Sequence, residues 1–240
     1  MKLREIYNIL DSITPFELQE KWDNSGLIIG DMNREIKEIV VSLDIDKGIL
    51  DSAKEDTLFI THHPLIFAGI KELNFSTYPS NLIEIMIKKR LSLIAIHTNF
   101  DKTHLNRYVF EKVLGFKMEY QENFISVGSG EWTKEELLSI LKSKLNLHTL
   151  KVVSPKSKIK SIALTTGSGA SLIDEVKADC FLTGDIKYHD AIKAINQNLM
   201  MVDIGHYESE KFFVNAIEIE LKKLAVSVTI LQSDNPFNNS

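Results

Sequence analysis

Apolar side chains recur along the chain with two different periods. Leu3, Ile6, Tyr7 and Leu10 share one face at helical spacing, which predicts a helix over residues 3–13. The same spacing predicts helices over 48–54, 81–89, 105–114, 134–145, 172–176, 189–196 and 209–224. Short, nearly unbroken apolar runs predict strands over 38–43, 58–61, 91–96, 161–164, 180–183 and 199–203. Pro15 and the run Asp23-Asn24-Ser25-Gly26 signal turns between the first helix and the first strand. Near-continuous apolar strands alternating with helices indicate an α/β protein with much parallel sheet.

Two internal similarities sharpen this picture. Residues 40–61 and 162–183 have the same length and pattern: strand, short loop, helix, then an apolar strand ending in Thr61 or Thr183. Residues 91–101 and 199–210 form a second pair. Each is an apolar strand followed by a histidine, three residues and a carboxylate, His97 to Asp101 and His206 to Glu210. Together the pairs predict two related α/β units. No low-complexity linker separates them, and the stretch from Asp234 to the end reads as frayed.

With 240 residues, 44% hydrophobic and 25% charged, the chain has the balance of a globular protein with room for one large core or two small ones. Its longest apolar runs fall far short of the ~20 residues of a membrane-spanning helix. The N-terminus alternates charged and apolar residues and has no signal-peptide core, so no secretory leader is expected. The single cysteine, Cys180, excludes an internal disulfide and points to a reducing, cytoplasmic setting. It has no cationic neighbour to activate it and reads as a buried strand residue. The net charge of −5, with both signs interspersed, makes nucleic acid an unfavourable partner. The densest basic cluster, Lys156, Lys158 and Lys160 beside Pro155, reads as a solvated loop.

Ligands of open α/β sheets bind beyond the carboxyl ends of strands. Three predicted strand ends carry metal-type donors: His62 and His63 before Pro64, His97 with Asp101, and His206 with Glu210. Pro64 biases His63 towards extended backbone. Neighbours on extended chain point opposite ways, which suits two adjacent metals better than one. One helical turn would let His206 and Glu210 converge. Imidazole plus carboxylate is a donor set for zinc, manganese, iron or cobalt, not calcium. Five or six donors exceed one tetrahedral zinc with an open position and suit two divalent ions. Two such ions against two carboxylates leave about +2 of local charge, which favours a small anionic substrate. Taken alone, each histidine has a plainer reading as a structural or exposed side chain.

Trp22-Asp23-Asn24-Ser25-Gly26-Leu27, Thr61-His62-His63-Pro64-Leu65-Ile66-Phe67, His97-Thr98-Asn99-Phe100-Asp101, Thr183-Gly184-Asp185 through His189, and Gly205-His206 through Glu210 occur in this order. As a set they resemble the GTP cyclohydrolase I type 2 family, also called the Nif-three-like family, nearly end to end and in its short form without a central insertion. The resemblance implies two related α/β domains with mixed, largely parallel sheets flanked by helices. The second, 126–197, would be inserted into a metal-binding domain of 1–125 and 198–240. It further implies a homohexameric ring and two divalent ions (zinc, manganese or iron) held by His62, His63, Asp101, His206 and Glu210, with His97 beside them. The implied reaction is attack of water on C8 of GTP, ring opening with release of formate, and rearrangement to dihydroneopterin triphosphate.

Other residues complete a provisional site. His97 and His189 are the candidate acid–base catalysts. Gly167, Ser168 and Gly169 follow a strand, so their amides, with Lys187, are candidates to receive phosphate, although a tight turn explains them equally well. Thr183 and Asp185 are candidate substrate contacts or supports, against a capped helix start. Trp22 reads as core or interface rather than a stacking platform, Asp23 and Asn24 as turn formers, and His104 and His148 as surface residues. Two other functions fit the same donors: a metal-dependent phosphoesterase or amidohydrolase of another small anion, and a non-catalytic metal-binding ring that serves as scaffold or regulator.

Overall fold

The computed structural model describes residues 1–222 and 227–237. The chain divides into two compact units, Met1–Phe100 with Phe213–Ser240, and Asp101–Phe212. The first opens with α1 (Leu3–Ile13), β1 (Gly26–Ile29), β2 (Glu38–Ser42), α2 (Lys47–Ser52), β3 (Thr57–Thr61), α3 (Ser80–Lys88), β4 (Ser92–Ala95) and the single turn α4 (Thr98–Phe100). The second begins in a π-helical turn, Asp101–Leu105, then α5 (Asn106–Tyr108) and a further π turn, Val109–Val113. It continues through β5 (Tyr120–Glu122), β6 (Ile125–Thr133), α6 (Lys134–Leu145), β7 (Lys151–Val153), β8 (Lys158–Leu164) and a 3-10 turn, Ala170–Leu172. It ends with β9 (Cys180–Thr183), α7 (Tyr188–Asn196), β10 (Met200–Asp203) and α8 (His206–Glu210). The chain then returns to the first unit in α9 (Phe213–Leu221) and β11 (Ser227–Ile230).

The sheet of the first unit runs β1-β4-β3-β2-β11. All its pairings are parallel except β1 on β4. Val40, Phe59 and Leu93 cluster with Leu50, Leu82, Ile83 and Met86 from α2 and α3. The alternate residues Ile39, Val41, Leu58 and Ile60 are also fully enclosed. With both faces covered, the usual apolar–polar alternation of a strand disappears, which is why these strands appear in the sequence as unbroken apolar runs. Burying each such side chain contributes about 1.5–3 kcal/mol. In α1 the Glu5 carboxylate accepts a hydrogen bond from the Lys2 amide at 2.8 Å, and Leu3, Ile6 and Leu10 are buried.

The second sheet runs β5-β6-β8-β9-β10-β7. Its central strands β8, β9 and β10 pair in parallel, while β5, β6 and β7 join antiparallel. Largely parallel pairing therefore describes the first sheet and the middle of the second, not its outer strands. The predicted internal similarity has a counterpart in topology. β2-β3-β4 and β8-β9-β10 are parallel triplets, each with an antiparallel strand beside its last member. Ala163, Phe181, Met201, Ile173 and Ala194 form a core on this second sheet.

The range 126–197, expected as the inserted domain, lies inside the second unit. That unit also takes in β5, paired to β6, and β10, held between β9 and β7. The helix expected over 209–224 is broken at Lys211 and Phe212 into α8 and α9, and its residues 223–224 lie outside the described residues. The same holds for residues 238–240 of the tail expected to fray. The helix expected over 172–176 is reduced to the 3-10 turn Ala170–Leu172. Among the described residues no helix is long and apolar enough to cross a membrane.

Candidate metal centre

In the first unit, β3 and β4 end side by side and deliver three histidines. The ligand nitrogens of His62, His63 and His97 all lie within 4.8 Å of one another. Side chains expected to diverge thus converge, because the chain leaves its extended path immediately after Thr61. The Thr61 hydroxyl donates to the His63 carbonyl at 2.8 Å, and the His63 amide donates to the Leu43 carbonyl at 3.2 Å. His62 is fully buried, its ring 5.1 Å from that of Phe213.

Each ring is oriented through Nδ1. His62 Nδ1 is 3.1 Å from the Ile96 carbonyl, His63 Nδ1 is 2.8 Å from Asp44 Oδ1, and His97 Nδ1 is 2.8 Å from Asp23 Oδ1. Such partners accept the Nδ1 proton, fix the tautomer and present Nε2 as the coordinating atom. Asp23 is buried and also accepts from the Ser25 hydroxyl and from the amide and hydroxyl of Thr98. Burial pushes its pKa up, but the hydrogen bond and charge of His97, with the Thr98 hydroxyl, outweigh that and hold it well below the usual carboxylate range.

The second unit repeats the device at the end of β10. Gly205, at φ +79°, starts α8, and the one-turn spacing brings His206 Nε2 within 2.8 Å of Glu210 Oε2. His206 Nδ1 is 2.7 Å from Asp185 Oδ2. Glu210 is 3% exposed. The loop after β8 makes room for it: Gly167 has φ +64°, and a Cβ there would collide with Glu210 Oε1. In the preceding residue, the Thr166 hydroxyl is 3.5 Å from Asp101 Oδ1, and its amide donates to Asn106 Oδ1 at 2.7 Å. Asp101 is buried at the start of a π-helical turn, a feature frequent at functional sites.

Several expected contacts have other employment. The Gly167 amide donates to Ser209 Oγ at 3.0 Å, and the Gly169 amide donates to Thr183 Oγ1 at 2.8 Å. The expected phosphate cradle is therefore committed internally at those two amides, leaving exposed Ser168. Thr183, buried, latches this loop through Gly167 and Gly169, and Asp185 orients His206. His189 is exposed in the first turn of α7 with its ring against Tyr188, and Lys187 is exposed at that helix's start. Lys156 pairs with Asp179 at 2.6 Å. Cys180 is buried in β9, its thiol pKa pushed up by burial. His148 is exposed as expected, whereas His104 is half-buried.

Three residues read differently in the sequence. Asp23 is a buried anchor rather than a turn former. Asp44 carries no signal in the sequence beyond following a predicted strand, as the candidate ligands do, yet it anchors His63. Trp22, expected in the core or at an interface, is 58% exposed and so not core, its ring 5.8 Å from Phe67 and 6.1 Å from His97.

Imidazoles anchored at Nδ1, with carboxylates beside them, are a donor set that fits divalent transition-metal ions. The molecule is thus of the class of mixed α/β proteins that gather histidine and carboxylate donors at strand ends. The model of the Duf34/NIF3 (NGG1p interacting factor 3) family matches residues 1–236, and the chain belongs to that family. It is 48% identical over 238 residues to a Campylobacter jejuni protein named GTP cyclohydrolase 1 type 2 homolog, covering 99% of each chain. A Helicobacter pylori protein named GTP cyclohydrolase 1 type 2 is 40% identical over 236 residues, covering 98% of this chain and 97% of that one. The crystal structure of a hypothetical protein from Staphylococcus aureus has the same fold, with a TM-score of 0.87 at 26% identity over 100% of this chain and 99% of that one.

Proposed function

We propose that this chain is a divalent-metal-dependent hydrolase that converts GTP and water to dihydroneopterin triphosphate and formate, the reaction the family resemblance implies; two relatives bear the name GTP cyclohydrolase 1 type 2 or its homolog. The observation that carries the reading is the uniform presentation of imidazoles. His63, His97 and His206 each have Nδ1 on an aspartate, and His62 has Nδ1 on a carbonyl. A metal-ligating imidazole is oriented by such a partner at its other ring nitrogen, and four imidazoles here are held that way.

In this proposal His62, His63, Asp101, His206 and Glu210 hold two ions. Bound, the ions supply Lewis acidity and lower the pKa of water towards ~7. His97, braced by buried Asp23, is the stronger acid–base candidate, since a fixed ring can move a proton at Nε2. His189 is the weaker, being exposed on α7. Ser168, Lys187 and the charge of the ions would receive the triphosphate, with Asp185 and Thr183 as supports. The resemblance adds a homohexamer in the cytoplasm.

Purified protein incubated with GTP and zinc, manganese or iron in turn should release formate and a pterin triphosphate detectable by mass. His62→Ala and Glu210→Ala should abolish both products and metal retention. Stoichiometric metal binding without turnover of GTP would reject the enzyme and favour a scaffold.

A further inference from the structure

Two large aromatic side chains stand exposed at the edge of the histidine cluster, where burial in the core would ordinarily claim them. Trp22 is 58% and Phe67 51% exposed. Their ring centroids are 5.8 Å apart at 32°, and both lie within 6.1 Å of the His97 ring. Neither is a loose surface residue. The Asn24 side-chain amide donates to the Ile66 carbonyl at 2.6 Å, which ties the residues following Trp22 to the one preceding Phe67. On the other side Asp23 is locked to His97 and Thr98. The segments that carry the two rings are therefore anchored by part-buried hydrogen bonds, as a preorganised binding surface requires. Phe67 also lines a cavity of ≈ 550 Å³ with His63, Lys71 and Tyr78. That size lies within the range of small-molecule sites.

We propose that Trp22 and Phe67 form the stacking surface for the purine ring of the substrate, holding it flat beside His97. This rests on the nucleotide reading above and adds the residues that recognise the base. A centroid spacing of 5.8 Å is too small to admit a ring between them, so the base lies against the outer faces of the pair. Stacking is indifferent to exocyclic groups, so guanine and adenine nucleotides both bind here, and discrimination between them falls to other contacts.

Trp22 and Trp132 are the two indoles of the chain. In metal-loaded Trp132→Phe, GTP and ATP should quench Trp22 emission saturably, and inorganic tripolyphosphate should not. By calorimetry on otherwise wild-type protein, Trp22→Leu and Phe67→Ala should each weaken GTP binding about 5- to 150-fold while leaving tripolyphosphate binding unchanged. In turnover they should raise KM more than they lower kcat. The proposal is overturned if GTP binds or is converted while Trp22 emission and the affinities of both variants stay as in wild type. It is overturned equally if no purine nucleotide binds. Quenching and weakened binding without formate release would keep the stacking surface and reject the hydrolase instead.

Discussion

Asp23 shows how much one side chain can carry. It joins the Trp22 segment to the end of β4 by accepting from His97, Ser25 and Thr98. Asp23→Asn keeps the volume and removes the charge, so it should cost about 1–3 kcal/mol of stability at pH 7, read by urea unfolding. The folded carboxyl titrates below its unfolded value of about 4. Its contribution is therefore complete above that value and is lost as pH falls through the lower, folded one. The gap between wild type and Asp23→Asn should narrow when the same measurement is made at pH 3. Gly167 gives a second prediction. Gly167→Ala puts a Cβ into Glu210 at a left-handed φ, whereas Gly115, at φ +78°, has open space around it. Gly115→Ala should cost only the backbone preference, about 1–2 kcal/mol. Gly167→Ala should cost more, and equilibrium dialysis should show that it alone loses metal. At this scale the clustering of His62, His63 and His97 and the pairing of His206 with Glu210 were legible, because histidines and carboxylates at strand ends stand out. Their anchors were not, because Asp23 and Asp44 look like ordinary turn residues until β3 and β4 bring distant histidines to them.

Elements differ in how openly the sequence declares them. The limits of α1, α6 and β9 follow directly from periodicity, since each buries a regular face or an unbroken run. β1, β5, β6, β7 and β11 went unseen. β5, β7 and β11 are at most half-buried edge strands, and β6 is interrupted by glycines and a register shift near Ser129 and Trp132. Local pattern is weak where pairing partners, not burial, stabilise a strand. The helix break at Lys211 was hidden because apolar spacing continues across it. Local chemistry is testable where it is explicit. In α6 the Thr133 hydroxyl accepts from the Glu136 amide at 3.2 Å, and the Glu136 carboxylate accepts from the Thr133 amide at 2.8 Å. Thr133→Ala should lower stability by about 1 kcal/mol without changing metal stoichiometry, as chemical denaturation and elemental analysis would show.

For the molecule as a whole, metal is expected to act as a stabilising ligand. The histidines at the ends of β3 and β4 lie far apart along the unfolded chain and converge only on folding, so an ion held there binds the folded form by preference. At a hundredfold excess over its dissociation constant, each ion adds about 2.7 kcal/mol. For a chain of this size that corresponds to about 5–10 °C in Tm. Scanning calorimetry with manganese or zinc, then with chelator, should show this shift, and His62→Ala should not.

The sole thiol sits in β9, between β8 and β10, at the middle of the second sheet. Folded chains therefore keep it out of reach of alkylating reagents and of one another, and aerobic handling should neither cross-link nor modify them. Only a molecule whose central strands have parted exposes it. Nature has thus left this chain an internal label that records, in the fraction of molecules bearing a covalent mark, the opening of its inner sheet.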